Sequence, residues 1–186
     1  MLVEHLQSVP TDRRAAAALI VGDRVVTYAG LATRVQELSN RWRSLAGLRV
    51  GLALNEPTEF VPAVAALEAL RCHVFLVGGR SHKEIMELAD RLQWNVILWN
   101  LIDSPQIHSA SAVPADIDSH SEGIVTMLTS GTTGRPKAAN HTWTTLTSPV
   151  RRDPRYARNR WMCAYPLNLY AGTQVMLQAL LNWSTL

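Results

Sequence analysis

Nine consecutive residues, Thr129-Ser130-Gly131-Thr132-Thr133-Gly134-Arg135-Pro136-Lys137, hold four hydroxyl side chains, two glycines and a lysine. Glycine lets the backbone take positive φ and lets a ligand approach it closely. Successive backbone N–H groups in such a loop form a concave anion site. Hydroxyls add donors, and the lysine adds a mobile positive charge. Together these residue types predict a cradle for a polyphosphate. The spacing excludes two familiar cradles. Only two residues separate Gly131 from Gly134, Pro136 precedes Lys137, and Ala138 follows it. A P-loop instead has four residues between its glycines and a Lys-Ser/Thr pair opening a helix. The dinucleotide pattern G-x-G-x-x-G is also absent. The plain alternative for this composition is a polar loop joining two strands.

The loop needs a scaffold, and the preceding residues describe one. The apolar run Gly123-Ile124-Val125-Thr126-Met127-Leu128 reads as a strand leading straight into it. Near the N-terminus, Leu19-Ile20-Val21 and Arg24-Val25-Val26-Thr27 flank Gly22-Asp23, the pattern of a hairpin. Thr27 can cap a helix whose apolar residues Tyr28, Leu31, Val35, Leu38, Trp42 and Leu45 recur at steps of three and four. Residues 49–54 read as a short buried strand. Residues 58–70 read as an alanine-rich helix with Pro62 tolerated only in its first turn. Residues 73–77 form another strand, closed by Gly78-Gly79. Ser81-His82-Lys83-Glu84 has capping-box spacing and opens a helix with Ile85, Leu88 and Leu92 on one face. Residues 95–99 are a further strand. Strands alternating with helices imply an α/β fold, a mostly parallel sheet with flanking helices. Residues 15–99 make a first α/β unit. Residues 100–122, rich in Ser, Asp, Pro and His, read as a surface linker, and residues 123–186 carry the loop.

Composition narrows the function classes. The chain has 186 residues, 47% of them hydrophobic and 18% charged, which excludes a disordered or collagen-like polymer. The most apolar stretch, residues 60–70, contains Pro62 and Glu68, whereas a membrane span needs about 20 apolar residues. The net charge is +3, and residues 151–160 alone carry five arginines and one aspartate. A nucleic-acid binder would spread basic residues over a face, so this run reads as a solvated segment. Cys72 and Cys163 are too few and too far apart for a disulfide framework or metal site. They read as buried free thiols in a reducing cytoplasm. His73, His82, His108 and His120 lack metal-ligand spacing. Trp94 and Trp99 flank a strand and read as packing residues.

The string Leu128-Thr129-Ser130-Gly131-Thr132-Thr133-Gly134-Arg135-Pro136-Lys137 closely resembles the phosphate-binding signature of the adenylate-forming (AMP-binding) enzymes, a superfamily of acyl- and aryl-CoA ligases, peptide-synthetase adenylation domains and luciferases. Thr27-Tyr28-Ala29-Gly30-Leu31 is similar to the entry to the family's first helix, with Gly30 where glutamate is usual. Val50-Gly51-Leu52-Ala53-Leu54-Asn55-Glu56-Pro57-Thr58-Glu59-Phe60 is similar to a family strand-turn-helix, and residues 161–186 to the segment that follows the loop. The likeness runs from about residue 15 to the end, so residues 1–186 are identified as part of an N-terminal adenylation domain.

The resemblance implies a reaction that joins a small carboxylic acid to ATP as an acyl-adenylate, releases pyrophosphate, and passes the acyl group to coenzyme A or a carrier protein's thiol, usually with Mg²⁺. It implies that Thr129, Ser130, Gly131, Thr132, Thr133 and Gly134 wrap the β- and γ-phosphates and that Lys137 lies near them. No residue is assigned as a general base. Two positions depart from the family. Ala138 stands where glycine is usual, and Pro166-Leu167-Asn168-Leu169 lacks the aromatic and histidine of the family's segment, leaving Asn168 and Tyr170 either to line a pocket or to pack. His141 suits a structural role in the turn after the loop. The family's adenine motif, ribose-binding aspartate, hinge and C-terminal lysine are not found. The expectation is a fragment that does not complete adenylation alone and works with a complementary C-terminal half. The alternative is a non-catalytic module that binds nucleotide phosphates or a partner.

Overall fold

The computed structural model describes residues 1–100, 106–107, 122–129 and 137–186. A short helix, α1 (Leu2–Gln7), opens the chain. The expected hairpin forms from β1 (Ala17–Val21) and β2 (Arg24–Thr27), antiparallel, with Val21 opposite Arg24. The chain passes directly into α2 (Tyr28–Arg41), where the Thr27 hydroxyl accepts the Gly30 N–H at 3.1 Å. The predicted stripe of Tyr28, Leu31, Val35 and Leu38 is buried, as is Trp42 just beyond it.

A six-stranded sheet follows. Its strands are β3 (Arg49–Leu52), β4 (His73–Leu76), β5 (Val96–Leu98), β6 (Gln106–Ile107), β7 (Ile124–Thr129) and β8 (Lys137–Thr142). Their order across the sheet is β6-β5-β3-β4-β7-β8. The four central strands are parallel and the two edges antiparallel. β6 lies within the stretch read as a linker, most of which falls outside the described residues.

Crossovers between parallel strands are right-handed. The step from β3 to β4 and the step back from β4 to β5 therefore put α3 (Pro57–Ala69) and α4 (His82–Leu92) on opposite faces. The two hydrophobic clusters show this. Val50, Leu52, Val74, Leu76, Val96, Leu98, Val125 and Met127 pack with α1, α2 and α3. Phe75, Val77, Ile97 and Leu128 pack with Ile85 and Leu88 of α4 and with Trp94. Successive strand residues alternate faces, so each strand feeds both clusters. Gly51 sits on the α4 side, where a Cβ would collide with the Trp94 ring.

α3 starts at Pro57, one residue before the predicted boundary. Pro62, the sixth residue of the helix, lies in the second turn, not the first, and its missing N–H interrupts the helical ladder there. Burial offsets the loss, because Phe60 through Glu68 are all buried. The carboxylate of Glu68 accepts the N–H groups of Leu2 (3.1 Å) and Val3 (2.9 Å), docking α1 onto α3. Beyond β8 come α5 (Trp143–Thr147) and α6 (Tyr170–Leu180). The last residues return to the hairpin, where Ile20 N–H donates to the Leu186 carbonyl at 2.8 Å and Leu186 N–H to the Ala18 carbonyl at 2.9 Å. The arginine-rich segment forms an exposed 3-10 turn, Pro154–Arg158. Cys72 is buried as expected, whereas Cys163 is only half-buried.

Candidate functional site

β3, β4, β5 and β7 run parallel and end at one edge of the sheet. The connection from β4 leaves toward β5 and that from β7 leaves toward β8. The gap between β4 and β7 is thus a switch point, where open α/β sheets bind ligands at their carboxyl edge. The glycine-rich motif starts on β7 and finishes on β8. Thr129 and Lys137 face each other as pairing partners in the antiparallel ladder, so the two ends of the motif meet at this edge. Ser130, Gly131, Thr132, Thr133 and Gly134, with Arg135 and Pro136, lie outside the described residues. Lys137 is exposed.

A cavity of about 620 Å³ opens at the same edge, lined by Leu54, Asn55, Gly78, Arg80, Leu167 and Asn168 among others. The Asn168 amide donates to the Gly78 carbonyl at 2.9 Å and ties the segment before α6 to the end of β4. A Cβ on Gly78 would lie 2.5 Å from Asn55 Oδ1 and 2.7 Å from the Leu54 carbonyl, so no other residue fits without a shift. The helix bordering the cavity caps itself. The Glu84 carboxylate accepts the Ser81 N–H (2.9 Å) and hydroxyl (2.6 Å), and these bonds hold it below the usual carboxylate range. Of the two residues left between lining and packing, Asn168 lines the cavity. Tyr170 packs its ring against His141 of β8, centroids 5.4 Å apart.

A second constellation was not legible in the sequence. Four adjacent strands present a polar row on the α4 face. Arg49 Nη1 lies 3.2 Å from His73 Nδ1, His73 Nε2 lies 2.7 Å from the Thr126 hydroxyl, and that hydroxyl donates to Asn140 Oδ1 at 2.7 Å. Arginine has no acceptor, so Nδ1 must accept and the proton of the neutral imidazole sits on Nε2. Burial and then the Arg49 charge push His73 down to about 4, which keeps it neutral at pH 7. A cavity of about 550 Å³ borders the row. The only signal for it in the sequence was a histidine and a threonine standing alone in otherwise apolar strands. Among the described residues no group of three His, Cys, Asp or Glu could hold a metal ion, and no helix is long and apolar enough to cross a membrane.

No protein-family model matches the sequence. The chain is 26% identical over 194 residues to the 2-succinylbenzoate–CoA ligase of Bacillus pumilus, spanning 90% of this chain and 40% of that protein. Its fold matches that of the o-succinylbenzoate CoA synthetase of Bacillus subtilis, solved with its acyl-adenylate intermediate, with a TM-score of 0.69 at 22% identity over 99% of this chain and 54% of that one. It also matches the N-terminal subdomain of Klebsiella oxytoca NpsA in complex with 3-hydroxyanthranilyl-AMSN, with a TM-score of 0.72 at 14% identity over 98% and 51%. The chain is similar in sequence to that CoA ligase and shares the fold of the N-terminal regions of these solved enzymes. It spans about half the length of these relatives. In this chain the hairpin of β7 and β8 and the cavity beside Gly78 share the carboxyl edge of the sheet.

Proposed function

We propose that this chain holds the triphosphate of ATP in a site that activates a carboxylic acid as its acyl-adenylate, before the acyl group passes to the thiol of coenzyme A or of a carrier protein. The observation that carries the reading is the pairing of Thr129 with Lys137 at the carboxyl edge, with the whole phosphate signature strung between them. In this reading Thr129, Ser130, Gly131, Thr132, Thr133 and Gly134 offer N–H and O–H donors to the β- and γ-phosphates, and Lys137 adds positive charge at the start of β8. No base is required, because a carboxylic acid is already ionised at neutral pH. In-line attack by its oxygen on the α-phosphorus then depends on positioning and charge neutralisation. Mg²⁺ would arrive with the triphosphate. The acids named for the relatives, 2-succinylbenzoate and a 3-hydroxyanthranilyl group, favour a small aryl carboxylic acid.

Met162 (88% exposed), Tyr165, Leu169 and Tyr170 leave apolar surface open between Arg160 and α6. This supports a partner surface for a complementary C-terminal half.

Calorimetric titration with MgATP tests the reading. Binding is expected, and Lys137→Met should weaken it about tenfold by removing a charge-assisted bond. Equal affinity after residues 130–136 are exchanged for a Gly-Ser linker would overturn it. The second reading is phosphate binding without turnover by this chain. MgATP binding with no carboxylate-dependent pyrophosphate exchange would select that second reading.

A further inference from the structure

The strand that leaves the phosphate signature has almost nothing apolar to hold it in place. β8 reads Lys-Ala-Ala-Asn-His-Thr, and none of its residues belongs to the buried core. Among the described residues it is an edge strand. Strands without a buried apolar set specify their register weakly. The far end of β8 is anchored, because Trp143 and Leu146 of α5 are buried and Thr142 caps that helix. Nearer the signature the strand presents Asn140, opposite Thr126 in the ladder and hydrogen-bonded to it.

We infer that the row Arg49–His73–Thr126–Asn140 is a register pin that sets β8 against β7 and thereby positions Lys137 beside Thr129. The row is directional. Arg49 can only donate, so His73 donates to Thr126 and Thr126 donates to Asn140 Oδ1. A donor chain of fixed sense accepts one partner at its end. Slipping β8 by two residues would set Ala138 or Thr142 opposite Thr126. Alanine has no acceptor, and using Thr142 would displace it from its capping bonds with Thr145. Thr126 is fully buried, so any slip that removes its acceptor leaves a buried polar group unsatisfied. His73 and Thr126 are therefore positioning residues, acting on the ligand only through β8. Their effect on MgATP rests on the function proposed above, whereas their effect on β8 does not.

Thr126→Val keeps the shape and removes the hydroxyl, and Thr126→Ser restores it. In the valine variant, amide hydrogen exchange in β8 should quicken about tenfold, the worth of one lost hydrogen bond, while β3 and β4 stay within about twofold. The ¹⁵N signature of His73 should keep the Nε2–H tautomer that Arg49 imposes, while the Nε2–H proton loses its hydrogen-bonded shift. MgATP affinity should fall severalfold, and the serine variant should recover all three. Asn140→Leu, at an exposed position, tests the same link if the valine variant fails to fold. Unchanged β8 exchange in a folded valine or leucine variant would overturn the register pin. Failure of the unsubstituted protein to bind MgATP would overturn the proposed function instead, and the exchange measurement would still decide the pin.

Discussion

The two faces of the sheet are built on different principles. Toward α1, α2 and α3, every strand residue from Val50 to Met127 is aliphatic or methionine, and the face is closed by nonspecific apolar packing. Toward α4 the apolar set is smaller, with Phe75, Val77, Ile97, Leu128 and Trp94. The rest of that face is the polar row from Arg49 to Asn140. Hydrophobic burial is non-directional and scales with area, whereas hydrogen bonds demand particular partners at particular distances. One face therefore supplies stability, and the other supplies register at the strand next to the phosphate signature.

The comparison can be broken by substitution. The largest effect is expected from Phe60→Ala, which empties a fully buried site under α3; it should cost about 4 kcal/mol in urea unfolding. A loss below about 1 kcal/mol would contradict a packing-held face. Gly51→Ala drives a methyl group into the Trp94 ring on the opposite face and should cost about 2 kcal/mol by overpacking, with near-UV circular dichroism reporting the displaced tryptophan.

A smaller effect concerns pH. Burial, aided by the charges of Arg152 and Arg49, lowers His5 and His73 to about 4. Their stabilisation is complete above about 6.5, their unfolded value, and is lost as the pH falls toward 4. Burial raises Glu68 to about 7. Its contribution is complete below the unfolded value of 4.5 and is lost as the pH rises toward 7. The opposition does not follow the faces: Glu68 opposes His5 on the α1–α3 side, and His73 in the polar row acts in the same sense as His5. Glu68→Gln should steepen the loss of stability on acidification from pH 6.5 to 4.5, and His73→Phe should flatten it. Urea melts across that range decide both. The smallest effect belongs to neither face. Arg155→Ala removes an exposed pair with Asp153, 2.6 Å apart, and should leave the melting temperature unchanged, because surface pairs contribute little.

Much of the scaffold was legible because its signals are local. The 3.6-residue stripe of α2, the Ser81–Glu84 capping box and the Gly22-Asp23 turn each place their chemistry within a few residues, and the structure shows all three. The expectation that Pro62 needs the first turn failed because burial of Phe60 through Glu68 holds the helix around it, and packing of that kind has no local signal. At the site, residue types alone pointed to phosphate chemistry at Thr129 and Lys137. The cavity beside Gly78 was not foreseen, since it joins Asn55, Gly78 and Asn168 from three separate segments.

The sequence by itself determined the alternation of strands and helices and the sides they bury, and it carries a phosphate-type residue pattern at 129–137, because periodicity and residue chemistry act at short range. Only the tertiary structure decided which strands are neighbours and hence that Arg49, His73, Thr126 and Asn140 form one hydrogen-bonded line. Strand order arises from crossovers that bring distant segments together, and no short-range signal encodes which polar side chain will meet which across a sheet.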